Sequence, residues 1–205
     1  MPDAMPTLLG LVLAGGQSRR MGRDKASLAW RGRPLWLRQA KLLQQAGMPV
    51  LVSHRAEQSL PKFDAGQFTS VPDALTDAGP LAGWLSAWTK HPDSALLVVA
   101  CDLPLLDLAT LQCLVEQRDP TRIATAFHSA NDSLPEPMCA IYEPAAKAHF
   151  EQAFADDRRC PRKILIQAGE MAKLIQLPNP HALENANTPE EFERLQTLDQ
   201  HLQTT

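Results

Sequence analysis

Leu13-Ala14-Gly15-Gly16-Gln17-Ser18-Arg19-Arg20-Met21-Gly22-Arg23-Asp24-Lys25 follows an apolar run, Leu8 to Leu13, that reads as a buried β-strand. Helical periodicity begins only near Pro34. A strand that ends in small residues and continues into a basic loop is a place to bind phosphate. Gly15 and Gly16 carry no Cβ, so backbone N–H groups there can approach a polyanion closely. Arg19, Arg20 and Lys25 supply the positive charge that a triphosphate needs. Two familiar phosphate loops are excluded by spacing. A Walker A loop requires Gly-Lys-Ser/Thr, and Gly22 is followed by Arg23-Asp24. A dinucleotide fingerprint requires Gly-x-Gly-x-x-Gly leading into a helix, which Gly15-Gly16 does not provide.

The remainder of the chain alternates strand and helix, the pattern of a mostly parallel sheet covered on both faces. A helix is expected from Pro34 to Gly47, with Trp36, Ala40 and Leu43 on its apolar stripe. Pro49 to Ser53, Phe68 to Val71 and Ser94 to Cys101 read as strands. Leu81, Trp84, Leu85 and Trp88 fall at i, i+3, i+4 and i+7, so both tryptophans are expected in the core. Asp107 is placed to cap a helix whose stripe is Leu108, Leu111 and Val115. Beyond it, Ile123 to Phe127 and Met138 to Tyr142 read as strands, Ser129 to Pro137 as a loop, and Pro144 to Phe154 as a helix. Thr188-Pro189-Glu190-Glu191 is a capping box that opens a last helix with Phe192, Leu195, Leu198 and Leu202 along one side. The fold class expected is α/β, a single Rossmann-like, doubly wound domain over residues 1–205.

Composition agrees. A chain of 205 residues with 44% hydrophobic residues can bury a substantial core, and a net charge of -3 gives no general affinity for nucleic acid. No apolar stretch approaches the roughly 20 residues that span a bilayer. The N-terminus lacks the basic start of a signal peptide, and Cys101, Cys113, Cys139 and Cys160 are widely spaced without a C-x-x-C. A cytoplasmic protein with reduced thiols is the expectation. The six histidines are scattered and suggest no ligand set.

In an open α/β sheet, ligands bind beyond the carboxyl ends of the strands. That rule gathers the Gly-rich loop, Asp73 after Val71-Pro72, and Asp102 in Cys101-Asp102-Leu103-Pro104 onto one edge. A lone carboxylate at the end of a buried strand suits Mg²⁺, which takes one or two carboxylates and completes its shell with phosphates and water. A helix cap or turn uses aspartate equally well, as Asp107 illustrates. Gly79-Pro80-Leu81-Ala82-Gly83 opens a helix with residues small enough for a flat base to lie on the backbone, or for the helix simply to pack tightly on the sheet. Asn185 and Asn187 alternate, so an extended backbone points both amides one way, toward the donors and acceptors of a heterocycle. A capping turn before the last helix is the competing use of Asn187. Arg158, Arg159, Arg162 and Lys163 form a second basic cluster, suited to a phosphate or to solvent.

The loop from Leu13 to Lys25 resembles the signature Leu-x-Gly-Gly-x-Ser-x-Arg-Met-Gly-x-Asp-Lys of nucleotidyltransferases that share the nucleotide-diphospho-sugar transferase fold. Among these it is most similar to the molybdenum cofactor guanylyltransferases. The resemblance implies transfer of GMP from GTP to molybdopterin with loss of pyrophosphate. It also implies Mg²⁺ as cofactor, GTP and molybdopterin as substrates, and molybdoenzymes or cofactor-biosynthesis proteins as partners. On its terms Lys25, Arg20 and Asp102 are catalytic, and Asp102 holds the metal. Leu13, Ala14, Gly15, Gly16, Lys25, Asp73, Gly79, Pro80, Leu81 and Asp102 bind nucleotide. Asn185 and Asn187 face the pterin, and Arg158 and Arg159 are candidates for its phosphate. The chain departs from the family pattern at Ser53-His54, where asparagine often stands, at Pro135-Glu136-Pro137-Met138-Cys139, and at Cys160-Pro161.

Three rivals remain. The cytidylyltransferase branch tends to show Ala-Ala-Gly in place of Ala14-Gly15-Gly16 and lacks the Gly79–Gly83 element. Sugar nucleotidylyltransferases typically continue Arg-Leu-x-Pro-Leu-Thr in place of Arg20-Met21-Gly22. A nucleotide-binding regulator without catalysis would keep the same binding groups.

Overall fold

The computed structural model describes residues 5–16, 21, 25–58, 67–75 and 78–204. Its centre is a seven-stranded sheet of order β5-β4-β1-β6-β8-β7-β9. The strands are β1 (Leu8–Leu13), β4 (Val50–His54), β5 (Thr69–Pro72), β6 (Ala95–Ala100), β7 (Ala124–His128), β8 (Pro135–Tyr142) and β9 (Ala172–Ile175). A two-stranded hairpin, β2 (Ala29–Trp30) and β3 (Arg33–Pro34), stands beside it. Among the described residues β8 alone runs against the other strands of the large sheet. The doubly wound, mostly parallel arrangement therefore matches the alternation in the sequence.

Strand pleating explains the two cores. Successive side chains of β6 point to opposite faces, so Leu97 and Val99 join one cluster while Leu96 and Val98 join the other. On the first face lie α1 (Leu35–Gln45) and α3 (Leu108–Glu116), through Trp36, Ala40, Leu43, Leu111 and Leu114. On the second lie α2 (Leu81–Lys90), α4 (Ala146–Ala155) and α5 (Pro161–Ala168). Trp84 and Trp88 are fully buried there, edge-on to Tyr142 and Phe150 respectively. Neither ring is available to stack on a base. No helix among the described residues is long and apolar enough to cross a membrane.

Several boundaries differ from the sequence expectation for physical reasons. Pro34 does not start α1; it closes the hairpin with an extended backbone (ψ 140°), and the helix begins one residue later. Gly47, at φ +86°, takes the left-handed conformation that ends the helix. Asp107 caps α3 as expected, accepting 2.7 Å from the Thr110 N–H. Strand β8 begins at Pro135, inside the segment expected to be a loop. There it pairs with β7 only, since its register with β6 starts at Cys139, so Pro135 and Pro137 leave no inner ladder unpaired. Cys160-Pro161 does not interrupt a helix. It separates two, with Pro161 in the first turn of α5, where a missing N–H costs nothing.

The last helix, α6 (Pro189–Thr204), is docked by a third cluster. Phe192, Leu195 and Leu198 pack on Trp30, Leu35 and Leu105, with the Trp30 and Phe192 rings edge-to-face at 5.2 Å. The apolar stripe stops there: Leu202 is exposed, contrary to its expected place in the packed face. The capping box forms as written, with Thr188 Oγ1 accepting from the Glu191 N–H and Glu191 Oε2 accepting from the N–H groups of Asn187 and Thr188. Docking α6 is what brings residues 184–188 to the edge where β1 and β6 end.

One ion pair inside the fold has a large expected weight. Arg118 and Glu143 meet through two parallel bonds of 2.7 and 2.8 Å, and Arg118 also donates to the Pro6 carbonyl at 2.9 Å. Their side chains are only 7% and 2% exposed. Glu143→Ala strands a buried guanidinium, which costs about 3–5 kcal/mol. The corresponding loss in melting temperature is roughly 6–20 °C for a domain of this size. Thermal unfolding checks it; a loss below about 3 °C contradicts a stabilising role for the pair.

Candidate active site

A cavity of about 780 Å³ opens at the carboxyl edge of the parallel strands. Its walls include Leu13, Ala14, Gly15 and Gly16 after β1, Ser53 and Arg55 at and after β4, and Asp73 after β5. Gly79, Pro80 and Gly83 line it at the start of α2, and Cys101 and Asp102 after β6. Parallel strands that end together deliver these segments to one place although they are far apart in sequence. Lys25 also lines the cavity, in a 3-10 turn over Lys25–Ser27 that is anchored by fully buried Ala26.

Lys25 is the hub of the acidic side. Its Nζ donates to Asp102 Oδ2 at 3.1 Å and to Asn187 Oδ1 at 2.6 Å. The backbone repeats this connection, because the Ala186 N–H donates to the Asp102 carbonyl at 3.0 Å. Asn187 thus serves the turn before α6 through its N–H and Lys25 through its side chain. Neither asparagine is among the residues that line the cavity; Asn187 is tied to it through Lys25, whereas Asn185 is exposed.

Asp73 is held on the other side. Ser53 Oγ donates to its Oδ1 at 2.6 Å, and its own N–H donates to the His54 carbonyl at 2.8 Å. Oδ2 lies 2.7 Å from where a Cβ on Gly15 would sit, so this glycine is required by close approach. At Gly83 a Cβ would run into the side chains of Leu13 and Ser53, so this glycine lets α2 pack closely on β1 and β4. Burial raises the Asp73 carboxyl above its ordinary value, and the Ser53 bond with nearby His54 and Arg55 pulls it partly back. A carboxyl raised in the folded state favours folding at low pH, and that contribution is lost as pH rises through the folded value. Asp73→Asn keeps an acceptor for Ser53 and removes the buried charge. We expect its stability advantage over the parent, measured by urea unfolding, to be largest near pH 7 and to shrink on acidification. An advantage that grows toward low pH contradicts this.

Not every expected residue reaches the cavity. Leu81 is fully buried in the core beneath α2 and does not line it. Its N–H is used by the Ala78 carbonyl. Arg158 bonds Gln167 and Asp156 at the surface. Arg159 stacks its guanidinium over Phe154, donates to the Phe154 carbonyl, and stands beside Gly79 with its Cβ 3.9 Å from that residue's missing one. Arg162 pairs with Asp132 and Glu136, so the four-residue basic cluster is dispersed among acidic neighbours. Arg19 and Arg20 lie outside the described residues.

Two residues were missed in the sequence. Arg55 donates to the carbonyls of Gly15 and Gly16 at 2.8 and 2.6 Å, and Gln58 donates to that of Ala14 at 3.0 Å. The available signal was position: both follow β4 on the ligand-binding edge. Among the described residues no group of three or more His, Cys, Asp or Glu side chains could hold a metal by itself. Asp102 is a single hard oxygen donor beside an amide oxygen, a set that fits a cation whose remaining ligands are phosphates and water.

Comparison with known proteins identifies the family. A family model described as the MobA-like NTP transferase domain matches residues 10–172. The chain is 32% identical over 193 residues to the molybdenum cofactor guanylyltransferase of Xanthomonas euvesicatoria, covering 91% of this chain and 93% of that protein. It is 33% identical over 188 residues to the molybdenum cofactor biosynthesis bifunctional protein of Synechocystis, covering 90% of this chain. The aligned region spans about half (52%) of that longer relative. Among solved structures, molybdopterin-guanine dinucleotide biosynthesis protein A from Archaeoglobus fulgidus shares the fold with TM-score 0.73 at 21% identity, covering 94% of this chain and 98% of that one. A nucleotidyl transferase from Methanothermobacter thermautotroptrophicus does so with TM-score 0.77 at 18% identity, covering 97% and 99%. With a family model over residues 10–172 and a guanylyltransferase relative 32% identical over nearly its whole length, the chain belongs to the MobA-like NTP transferase domain family and is a nucleotidyltransferase.

Proposed function

We propose that the protein is a cytoplasmic molybdenum cofactor guanylyltransferase, transferring GMP from GTP to molybdopterin. The observation that carries this reading is the single cavity joining the Gly15-Gly16 loop, Lys25, Asp73, the Gly79–Gly83 helix start and Asp102. In the reaction, an oxygen of the molybdopterin phosphate attacks the α-phosphorus of GTP. A new P–O–P bond forms, the α–β anhydride breaks, and pyrophosphate leaves with the electron pair. Such chemistry asks for in-line positioning and charge neutralisation, and the nucleophile comes from the substrate.

Each part of the site supplies one of these needs. The loop at Gly15-Gly16 and the Lys25 ammonium take the triphosphate. Gly79 leaves the backbone at the start of α2 open to the edge of guanine. Asn187, bonded to Lys25, marks the boundary between the nucleotide and the acceptor. Asp102 would hold a divalent cation, with Mg²⁺ the fitting choice, and that ion when bound supplies further neutralisation of phosphate charge.

Thermal unfolding in Mg²⁺ with GTP, CTP, ATP or UTP tests the nucleotide half. A nucleotide at about 100 times its Kd adds roughly 2.7 kcal/mol, a shift of roughly 5–10 °C for this chain length. GTP alone is expected to give it. A preference for CTP moves the protein to the cytidylyl branch, and no shift with any nucleotide contradicts triphosphate binding by the free enzyme.

A further inference from the structure

We propose that Arg55 is a positioning residue for the triphosphate: it fixes the orientation of the Gly15-Gly16 peptides rather than serving as one more surface charge. The inference rests on the nucleotide-transfer reading above and assigns a role within that site. Arg55 stands one residue past β4, with its side chain 28% exposed. One terminal nitrogen of its guanidinium donates to two consecutive carbonyls, Gly15 at 2.8 Å and Gly16 at 2.6 Å. Its Nε lies 3.2 Å from Glu57 Oε1, which fixes the plane of the group from the opposite side. Gln58 extends the grip by one residue, donating to the Ala14 carbonyl at 3.0 Å. Gln58 is itself positioned by Arg55, whose N–H donates to Gln58 Oε1 at 3.2 Å. Three successive carbonyls of the loop are thus held from one short segment.

The consequence follows from peptide geometry. In a trans peptide the C=O of one residue and the N–H of the next point in opposite directions, and no peptide bond among the described residues is cis. Holding the Ala14 and Gly15 carbonyls on the β4 side therefore turns the Gly15 and Gly16 N–H groups away from it. Among the described residues nothing lies within 4 Å of a Cβ built on Gly16, so none of them crowds that face of the loop. The guanidinium also neutralises carbonyl oxygens whose negative ends would otherwise oppose a phosphate. A flexible glycine pair is a poor anion site until its peptides are ordered, and Arg55 supplies that order before the ligand arrives. A lysine ammonium can also donate twice from one nitrogen, but it lacks the Nε tether to Glu57 that holds the donating nitrogen in place.

The test is calorimetric titration of the full chain in Mg²⁺ with GTP, inorganic pyrophosphate and GMP, for the parent, Arg55→Ala and Arg55→Lys. Both variants are expected to lose about tenfold or more in affinity for GTP and pyrophosphate, while GMP binding changes by about twofold or less. In turnover, kcat/KM for GTP is expected to fall about 100-fold in both, with KM for molybdopterin unchanged. Recovery of near-parent GTP binding in Arg55→Lys overturns the proposal in favour of charge alone. Near-parent binding in Arg55→Ala overturns any role, and equal losses for GMP and GTP reduce Arg55 to general support of the fold. A parent protein that binds no triphosphate overturns the nucleotide reading together with this one; a parent that binds GTP while the variants match it overturns only the role of Arg55.

Discussion

Asp102→Asn is expected to reduce guanylyl transfer by at least about 10³-fold while leaving the melting temperature within about 3 °C of the parent. The substitution preserves shape and keeps an oxygen that can accept from Lys25 Nζ, so the local hydrogen bonding survives. The backbone anchor from Ala186 N–H to the residue 102 carbonyl does not involve the side chain. What disappears is the negative charge at the end of β6, the hard anionic oxygen available in the cavity next to Lys25. A transfer between two phosphates concentrates negative charge at the reacting centre, and most of its acceleration comes from groups that neutralise that charge. Titration with Mn²⁺ as a spectroscopic substitute for Mg²⁺ should show weakened metal binding in the presence of GTP. Turnover within a few-fold of the parent contradicts the assignment of Asp102, and an unfolded variant shows up directly in the melting curve.

Lys25→Ala is expected to be nearly as damaging, with kcat/KM for GTP falling about 10²–10³-fold. Its Nζ lies between Asp102 and Asn187, within hydrogen-bond distance of both, and its side chain is only 14% exposed. A partly buried ammonium at this point neutralises phosphate more strongly than a solvated one, because less water screens it. KM for GTP is therefore expected to rise more than KM for molybdopterin. Steady-state kinetics with each substrate varied in turn checks this. Equal losses toward the two substrates contradict a triphosphate role and place Lys25 instead as a strut between Asp102 and Asn187.

Much of this arrangement was legible in the sequence because its signals are local. The Leu8–Leu13 run, the loop after it and the stripe of Leu81, Trp84, Leu85 and Trp88 each carry their periodicity or spacing within a dozen residues. The strand-end rule then placed Asp73 and Asp102 on one edge before any coordinates. What escaped was mostly relational. Asn187 accepts from Lys25 across 162 positions, and no local pattern encodes that pairing. Arg55 could be placed on the right edge, but nothing in Ser53-His54-Arg55 says that its guanidinium returns to Gly15 and Gly16. Strand β9 has only four residues, and its pairing with β7 is parallel and remote in sequence, so it carries little periodic signal. The basic residues between Arg158 and Lys163 have acidic partners of both kinds: Asp156 and Asp157 stand just before them in the string, whereas Asp132 and Glu136 reach Arg162 only through the fold.

The central claim is guanylyl transfer to molybdopterin, and a competition experiment addresses it most directly. Purified protein, Mg²⁺ and molybdopterin are incubated with equimolar GTP and CTP, and the products are identified by mass while pyrophosphate is counted. The expected result is molybdopterin guanine dinucleotide, with one pyrophosphate released per molecule formed. Formation of the cytosine dinucleotide, or binding of GTP with no molybdopterin-dependent release of pyrophosphate, would contradict it.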